Sequence, residues 1–251
     1  MPAEWHRLQM VQLTWPHEGT DWSYMLQEVE ECYVNLAKAI SSRMQLLVVA
    51  PDIKAVKATL ENGGATMSNI TLFECATNDT WARDHAFITI LGDNVPHYVD
   101  FCFNGWGRKF EASLDNAING KLYDAGIVKG EYEDCTSFVL EGGSIESDGK
   151  GTILTTSQCL LAPHRNQPMG KEEIEECLKK MLMPSVYCGL TTATSSATIP
   201  TDTSIPLHAL HPTTPLYICS VPMRTMHSMP TCAQWKRRLQ RCALPTATLT
   251  G

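Results

Sequence analysis

The chain has 251 residues, of which 43% are hydrophobic and 19% are charged, and its formal net charge is −7 at pH 7. This composition excludes a disordered, collagen-like or coiled-coil protein and argues against nucleic-acid binding, and no apolar run approaches the roughly 20 residues that a membrane span needs. The opening residues show no basic region followed by an apolar stretch, so we expect a cytoplasmic protein with free thiols.

Hydrophobic periodicity predicts an α/β protein with strands and helices mixed throughout. In chain order, the predicted elements are a strand at 11–15, a helix at about 20–43, a strand at 46–50, a helix at 53–62, strands at 70–74, 86–91, 98–103, 137–140, 144–147 and 153–155, and a helix at 171–181. Thr20 or Asp21 is the expected cap of the first helix and Asp52 that of the second. Ile174, Cys177 and Met181 are expected on the buried face of the last helix.

A change in composition divides the chain near residue 183. Residues 1–183 carry 15 basic and 26 acidic side chains, whereas residues 184–251 carry five basic side chains and a single acid, Asp202. The second segment also holds eight of the 14 prolines and shows no sustained helical or strand period. Because little apolar surface is available there to offset the ordering entropy, we expect residues 184–251 to be largely disordered.

The segment Asn78-Asp79-Thr80-Trp81-Ala82-Arg83-Asp84 places a carboxylate near an indole ring just before a strand. Such a pair suits a planar cation like guanidinium, through bidentate hydrogen bonds to Asp84 and stacking on Trp81. Taken alone, the segment is also explained by a helix-capping Asp84 paired with Arg83.

Two further motifs contain paired or alternating glycines. Residues 103–107 read Phe-Asn-Gly-Trp-Gly, which by itself predicts a structural turn with Trp106 packed inward. Residues 140–144 read Leu-Glu-Gly-Gly-Ser, and two glycines after Glu141 let a substrate or another backbone approach closely. Taken alone, this last motif is also explained by a bulge with a solvated Glu141.

In this order, the three motifs resemble those of the agmatine deiminase family, which includes the bacterial Porphyromonas-type peptidyl-arginine deiminases. The resemblance extends to residues 2–5, 14–17, 151–156 and 165–168, although Asn-Gln-Pro stands here where the family commonly has Asn-Pro. It covers about residues 1–182.

The resemblance implies the pentein fold, an α/β propeller of ββαβ-type modules around a central active site, of which residues 1–183 would be the N-terminal portion. It also implies a hydrolase that converts agmatine to N-carbamoylputrescine and ammonia in putrescine biosynthesis, without metal or organic cofactor. By matched position, Asp84 and Glu141 would be the catalytic and substrate-binding acids, and Trp81 would line the same site. Arg83 is expected to hold the loop, because its charge would repel a cationic substrate.

The implied partner is a small cationic guanidinium substrate, with no nucleic acid and no membrane, and the sequence leaves open whether the chain forms homo-oligomers. The implied mechanism needs a Cys thiolate that attacks the guanidinium carbon and a His-x-Asp pair that transfers protons before water cleaves the thioether intermediate. Residues 184–251 contain no His followed two residues later by an acid and no Cys after a Gly-rich turn. We therefore predict that the chain is inactive.

Three alternatives stay open: a peptidyl-arginine deiminase, a non-catalytic guanidinium-binding remnant, and an active relative that recruits Cys75, Cys102 or another thiol. A change of reading frame near residues 182–184 would explain both the missing residues and the change in composition. Reading from the third base of the Pro184 codon gives permitted codons for the family's Asp-Asp-Thr-Asp-x-His-x-Asp pattern. We therefore predict that residues 184–251 are a non-native frameshift product.

Overall fold

The computed structural model describes residues 1–92, 95–182, 187–191, 208–211 and 214–218. Its strands are β1 (Met10–Thr14), β2 (Gln45–Ala50), β3 (Ile70–Glu74), β4 (Ile88–Leu91), β5 (Pro96–Cys102), β6 (Glu131–Val139), β7 (Ile145–Ser147), β8 (Thr152–Thr156), β9 (Tyr187–Thr191), β10 (His208–His211) and β11 (Thr214–Ile218). Its helices are α1 (Leu26–Ser41), α2 (Ile53–Asn62), α3 (Ala82–His85), α4 (Ser113–Asn116), α5 (Ile118–Asp124), α6 (Ser157–Leu160) and α7 (Lys171–Met181). Within the described ranges, no helix has the length and apolar character needed to cross a membrane.

The first sheet is a parallel sheet of order β1-β2-β3, with α1 and α2 as its crossover helices. After its first residue, the central strand β2 is an uninterrupted apolar run, because both of its faces are buried at residues 46–50. Leu46 and Val48 belong to a core cluster with residues of α1 and α2, whereas Leu47 and Val49 pack with residues of α5. Alternate side chains of β2 thus pack against α1 and α2 on one face of the sheet and against α5 on the other.

The next two sheets repeat one pattern. In the first, β4 and β5 are antiparallel, and β6 runs parallel to β5 after the chain passes through α4 and α5. In the second, β7 and β8 are antiparallel, and β9 runs parallel to β8 after the chain passes through α7. Each unit is therefore a hairpin, a crossover helix and a parallel strand, which is the ββαβ order that the resemblance implies. One apolar cluster, which includes Phe101, Leu140, Ile153 and Leu178, unites the two units.

Several boundaries differ from the sequence-based expectations. The first helix begins at Leu26, after a 3-10 turn, and neither Thr20 nor Asp21 caps it. Instead, the Thr20 hydroxyl donates to the carbonyl of His17 at 2.7 Å, so a local turn uses the hydroxyl that was expected to cap the helix. The predicted Asp52 cap is confirmed, since its carboxylate accepts from the amides of Lys54 and Ala55.

Three short strands, β9, β10 and β11, lie in the segment that was expected to be disordered. β9 pairs with β8, and β10 and β11 form an antiparallel pair. The rest of residues 184–251 lies outside the described residues.

Candidate functional site

Asp84 and the two glycines after Glu141 come into contact, although the motifs are almost 60 residues apart in sequence. The Gly143 amide donates to Oδ1 of Asp84 at 3.1 Å. A Cβ atom on Gly143 would overlap this carboxylate, and one on Gly142 would overlap the Arg83 carbonyl. The expectation that these glycines admit a close approach is therefore met, and the approaching group is the α3 turn.

Both carboxyl groups are buried, Asp84 being 4% and Glu141 2% exposed. Burial, with the neighbouring Glu141 carboxylate as the next cause, raises the pKa of Asp84 to about 6. Burial also raises the pKa of Glu141, and Arg165 opposes that rise because its Nε atom lies 2.9 Å from Oε1. When ionised, the two acids and Arg165 together carry one net negative charge, which one monocation would balance.

Aromatic rings adjoin the acidic pair. The indole N–H of Trp106 approaches Asp84 and lowers its pKa, although it does not complete a well-aligned hydrogen bond. Trp106 makes an edge contact with Trp81, with ring centroids 5.7 Å apart, and Trp81 in turn lies 6.2 Å from Trp22. The Trp81 indole donates to Asp79 at 3.0 Å, which fixes the orientation of its ring.

The loop that carries Trp81 is anchored by reciprocal hydrogen bonds with α4. The buried Asp115 carboxylate accepts from the amides of Asn78 and Asp79, and the Asn78 side chain accepts from the amides of Leu114 and Asp115. Burial raises the pKa of Asp115 to about 6. These hydrogen bonds hold the segment just before α3 in one position relative to α4.

A buried polar network holds α3 from its other end. Asn119 donates to the carbonyl of His85 at 2.8 Å and to the Asp100 carboxylate at 2.7 Å. The Tyr132 hydroxyl donates to the second oxygen of Asp100 at 2.8 Å. The residue after Asp84 is therefore tied to α5 and to strands β5 and β6.

The Phe-Asn-Gly-Trp-Gly motif is more than the structural turn that the sequence predicts. Gly105–Arg108 form a left-handed turn, in which all four residues have positive φ. This conformation is strained for Trp106, and Asn104 stabilises it by accepting from the Gly107 amide at 2.8 Å. Trp106 packs against Phe103 and Phe110, as the predicted turn requires, and its ring also lies beside Asp84, which makes it a candidate site residue that sequence reasoning missed.

Arg83 contacts acidic and backbone groups of the neighbouring segments, which agrees with its expected role of holding the loop. Its guanidinium forms an ion pair with Glu4, lies 3.6 Å from Glu146 and donates to the carbonyl of Ile145. Burial raises the pKa of Glu146 to about 7, and the nearby Glu4 contributes to that rise. Arg83 therefore ties the N-terminal segment to β7.

Three of the described thiols have a raised pKa, which is unfavourable for a nucleophile. Burial raises the pKa of Cys102 and Cys159, and the Glu141 carboxylate adds to both rises. Cys135 has its pKa raised to about 11 by burial and by Glu133. Cys75 differs, because the Lys121 ammonium donates to its sulfur at 3.6 Å, but this residue is only 5% exposed. A reactive thiol needs an electropositive and partly exposed site, so charge and burial argue against Cys102 and burial argues against Cys75.

A cavity of about 500 Å³ adjoins the site through Arg165. Its lining residues are Arg108, Leu161, Pro163, His164, Arg165 and Gln167. Among the residues that the structure describes, no group of three His, Cys, Asp or Glu side chains is arranged to hold a metal ion.

Comparison with known proteins places these features in a family. The sequence model of one protein family, the Porphyromonas-type peptidyl-arginine deiminases, matches residues 1–207. The matched region therefore extends beyond the change in composition near residue 183. An agmatine deiminase from Pseudomonas syringae pv. syringae is 34% identical in a 190-residue alignment that covers 71% of this chain and 49% of that protein. The chain spans about half the length of the curated relatives it matches.

Solved structures agree with the sequence matches. A Porphyromonas gingivalis protein is 44% identical, with a TM-score of 0.69 over 76% of this chain and 56% of that chain. A Campylobacter jejuni agmatine deiminase with substrate bound is 36% identical, with a TM-score of 0.65 over 75% of this chain and 54% of that one. The predicted α/β fold of the pentein type is thereby confirmed for the part of the chain that these structures cover.

Proposed function

The chain belongs to the agmatine deiminase and Porphyromonas-type peptidyl-arginine deiminase family, and we propose that residues 1–183 form the guanidinium-binding portion of an agmatine deiminase. The observation that carries this proposal is the convergence of the buried Asp84 and Glu141 beside the Trp106 ring. Burial raises the pKa of both carboxyl groups, and Glu141 adds to the rise at Asp84, so a cation that pairs with both acids offsets the cost of holding them ionised.

In this proposal, the planar guanidinium of agmatine lies between the two carboxylates, and its N–H groups donate to Asp84 and Glu141. Trp106 and Trp81 bound the space beside it, and an indole face attracts a delocalised cation. Binding requires ionised Asp84, because a protonated carboxyl group supplies no charge. The bound cation then holds Asp84 ionised in an interior where burial alone favours the protonated form.

The complete reaction would begin when a Cys thiolate adds to the guanidinium carbon. Ammonia leaves with a proton supplied by a His-x-Asp pair, and water then cleaves the thioether bond, which releases N-carbamoylputrescine and restores the thiol. We propose that the thiol and the His-x-Asp pair belong to the portion of the relatives that residues 1–183 do not cover. The present chain would then bind agmatine without turning it over.

The reading-frame hypothesis for residues 184–251 belongs to this proposal. Sequencing genomic DNA across codons 178–190 tests it directly. We expect a one-nucleotide discrepancy there, after which the restored frame encodes the His-x-Asp pattern. An uninterrupted frame that encodes residues 184–251 as they stand would make this segment a genuine part of the protein.

Agmatine is proposed ahead of peptidyl arginine because the relatives and a substrate-bound solved structure are agmatine deiminases. Isothermal titration of the purified chain with agmatine, with 1,4-diaminobutane and with a peptide ending in arginine tests both the site and this choice. We expect agmatine to bind at least tenfold more tightly than the other two, and Asp84→Asn to abolish the binding. Tighter binding of the peptide would favour the peptidyl-arginine alternative, and ammonia release from agmatine would refute the predicted inactivity.

A further inference from the structure

Two neighbouring residues after helix α6, Arg165 and Asn166, contact Glu141 and the backbone just before it. The Asn166 side chain accepts from the Val139 amide and donates to the Val139 carbonyl, both at 2.8 Å. Val139 is the last residue of β6, two positions before Glu141. The Asn166 side chain therefore forms the two backbone hydrogen bonds that a neighbouring strand would otherwise form at the end of β6. These bonds fix the backbone from which Glu141 projects.

Arg165 contacts the Glu141 carboxylate itself. The two side chains are 5% and 3% exposed, and Arg165 Nε lies 2.9 Å from Oε1 of Glu141. The guanidinium occupies space that exists only because Gly107 lacks a Cβ atom, which would overlap it. The left-handed turn and the Arg165 loop are also joined directly, since Asn104 donates to the carbonyl of His164 at 2.7 Å.

The Arg165 guanidinium reduces the electrostatic cost of holding two buried carboxylates close together. Asp84 and Glu141 are both buried, and two neighbouring buried anions favour uptake of a proton by one of them. A guanidinium held against Glu141 favours the charged form of that carboxylate and opposes the effect of burial, and a carboxylate has further lone pairs with which to accept from a ligand. The cation that acts on Asp84 is the half-exposed Arg83, which lowers the pKa of Asp84 less than burial and Glu141 raise it.

We propose that Arg165 and Asn166 form a positioning unit for Glu141, in which Asn166 fixes its backbone and Arg165 keeps its carboxylate ionised and oriented toward the guanidinium substrate. This assignment rests on the proposed function, because it takes Glu141 as a substrate-binding residue. Arg165 acts through Glu141 and is not itself a catalytic residue.

The test measures Glu141 directly. Carbon-13 NMR of the protein labelled at glutamate carboxyl carbons gives the titration midpoint of Glu141, whose signal is assigned by its absence in Glu141→Gln. We expect Arg165→Met to raise this midpoint by about one pH unit or more. Arg165→Lys, which retains the charge, should stay closer to the wild-type midpoint, and Arg43→Met, at an exposed arginine of the α1 end, should match the wild type.

Agmatine affinity provides the second measurement on the same variants. We expect Arg165→Met to bind agmatine about tenfold more weakly at pH 7, with the difference narrowing toward pH 9 as Glu141 ionises without help. An unchanged Glu141 midpoint in both Arg165 variants would overturn the proposal, and so would tighter binding by Arg165→Met, which would show that Arg165 competes for Glu141. If the midpoint shifts but the wild-type chain binds no agmatine, the positioning unit stands and the proposed function fails.

Discussion

The amide of Gly143 donates to the carboxylate of Asp84 at 3.1 Å, and the missing side chain of Gly143 makes this contact possible. The contact aligns the turn after Glu141 with the α3 turn. It also gives Asp84 a neutral hydrogen-bond donor, which lowers its pKa while burial and Glu141 raise it.

Gly143→Ala tests the closeness of this approach. The added Cβ atom would overlap Asp84, so the two turns must separate. We expect agmatine affinity to fall at least about tenfold, and the free energy of unfolding to fall by about 1–3 kcal/mol, as is typical when a packed site is overfilled. Calorimetry and denaturant unfolding measure the two effects.

Gly120→Ala is the matched control, because a Cβ atom at this position of α5 meets nothing within 4 Å. Alanine restricts the unfolded chain more than glycine does, so this variant should gain about 0.4–1 kcal/mol in stability and bind agmatine as the wild type does. Wild-type affinity in Gly143→Ala would show that the site does not depend on the contact.

The raised pKa of Asp84 predicts opposite effects of pH on binding and on stability. Agmatine should bind about tenfold more weakly at pH 5 than at pH 7, because the Asp84 pKa of about 6 leaves the carboxyl mostly protonated at the lower pH. The ligand-free protein should lose the Asp84 contribution to stability as the pH rises through 6, since the folded state holds this proton more tightly than the unfolded state.

Asp84→Asn should remove that part of the pH dependence from thermal unfolding curves recorded between pH 4 and pH 7. Asp115, with a pKa also raised to about 6, and Glu146, at about 7, contribute slopes of the same sign, and both remain in the variant. The difference between the wild type and Asp84→Asn in how the unfolding temperature depends on pH therefore reports Asp84 alone. Parallel curves would show that this carboxyl is not perturbed.

Trp81→Leu tests whether the Trp81 ring lies beside the bound guanidinium. Loss of an indole beside a bound cation costs about 0.5–2 kcal/mol, so agmatine affinity should fall by a factor of about 2 to 30. Trp5→Leu is the control, because Trp5 is 43% exposed. Equal affinities in the two variants would place the guanidinium away from the Trp81 ring.

Arg83→Met separates two adjacent residues with opposite roles. Arg83 pairs with Glu4 and Glu146, and its charge is a lesser cause in the pKa of Asp84, so we expect agmatine affinity at pH 7 to change by less than about twofold. Stability should fall by about 1 kcal/mol or less, because Arg83 and Glu4 are about half exposed. A large loss of affinity, measured by calorimetry, would mean that Arg83 takes part in binding.

Local patterns predicted much of the fold correctly. The apolar run of β2, the Asp52 cap and helix α7 depend on neighbouring residues, and each is found at the expected place. The cap of α1 was predicted wrongly, because the Thr20 hydroxyl has a competing partner in a turn that hydrophobic spacing does not reveal. The short helices α4 and α5 were missed, since four to seven residues give little periodicity.

The candidate site was predictable only in part. Asp84 and Glu141 were singled out by their motifs, and the two glycines correctly indicated a close approach. Arg165 was recognised only as part of a matching segment, because its ion pair with Glu141 depends on the space beside Gly107, which no local pattern encodes. Trp106 was assigned to a turn for the same reason, since its contact with Asp84 is tertiary.

A crystal structure of the chain with agmatine bound tests the central claim most directly. The account predicts that the guanidinium lies between Asp84 and Glu141, with its nitrogens within hydrogen-bonding distance of both carboxylates and its plane bounded by the Trp106 ring. Agmatine bound elsewhere, or held by one of the two acids while the other faces only protein groups, would contradict it.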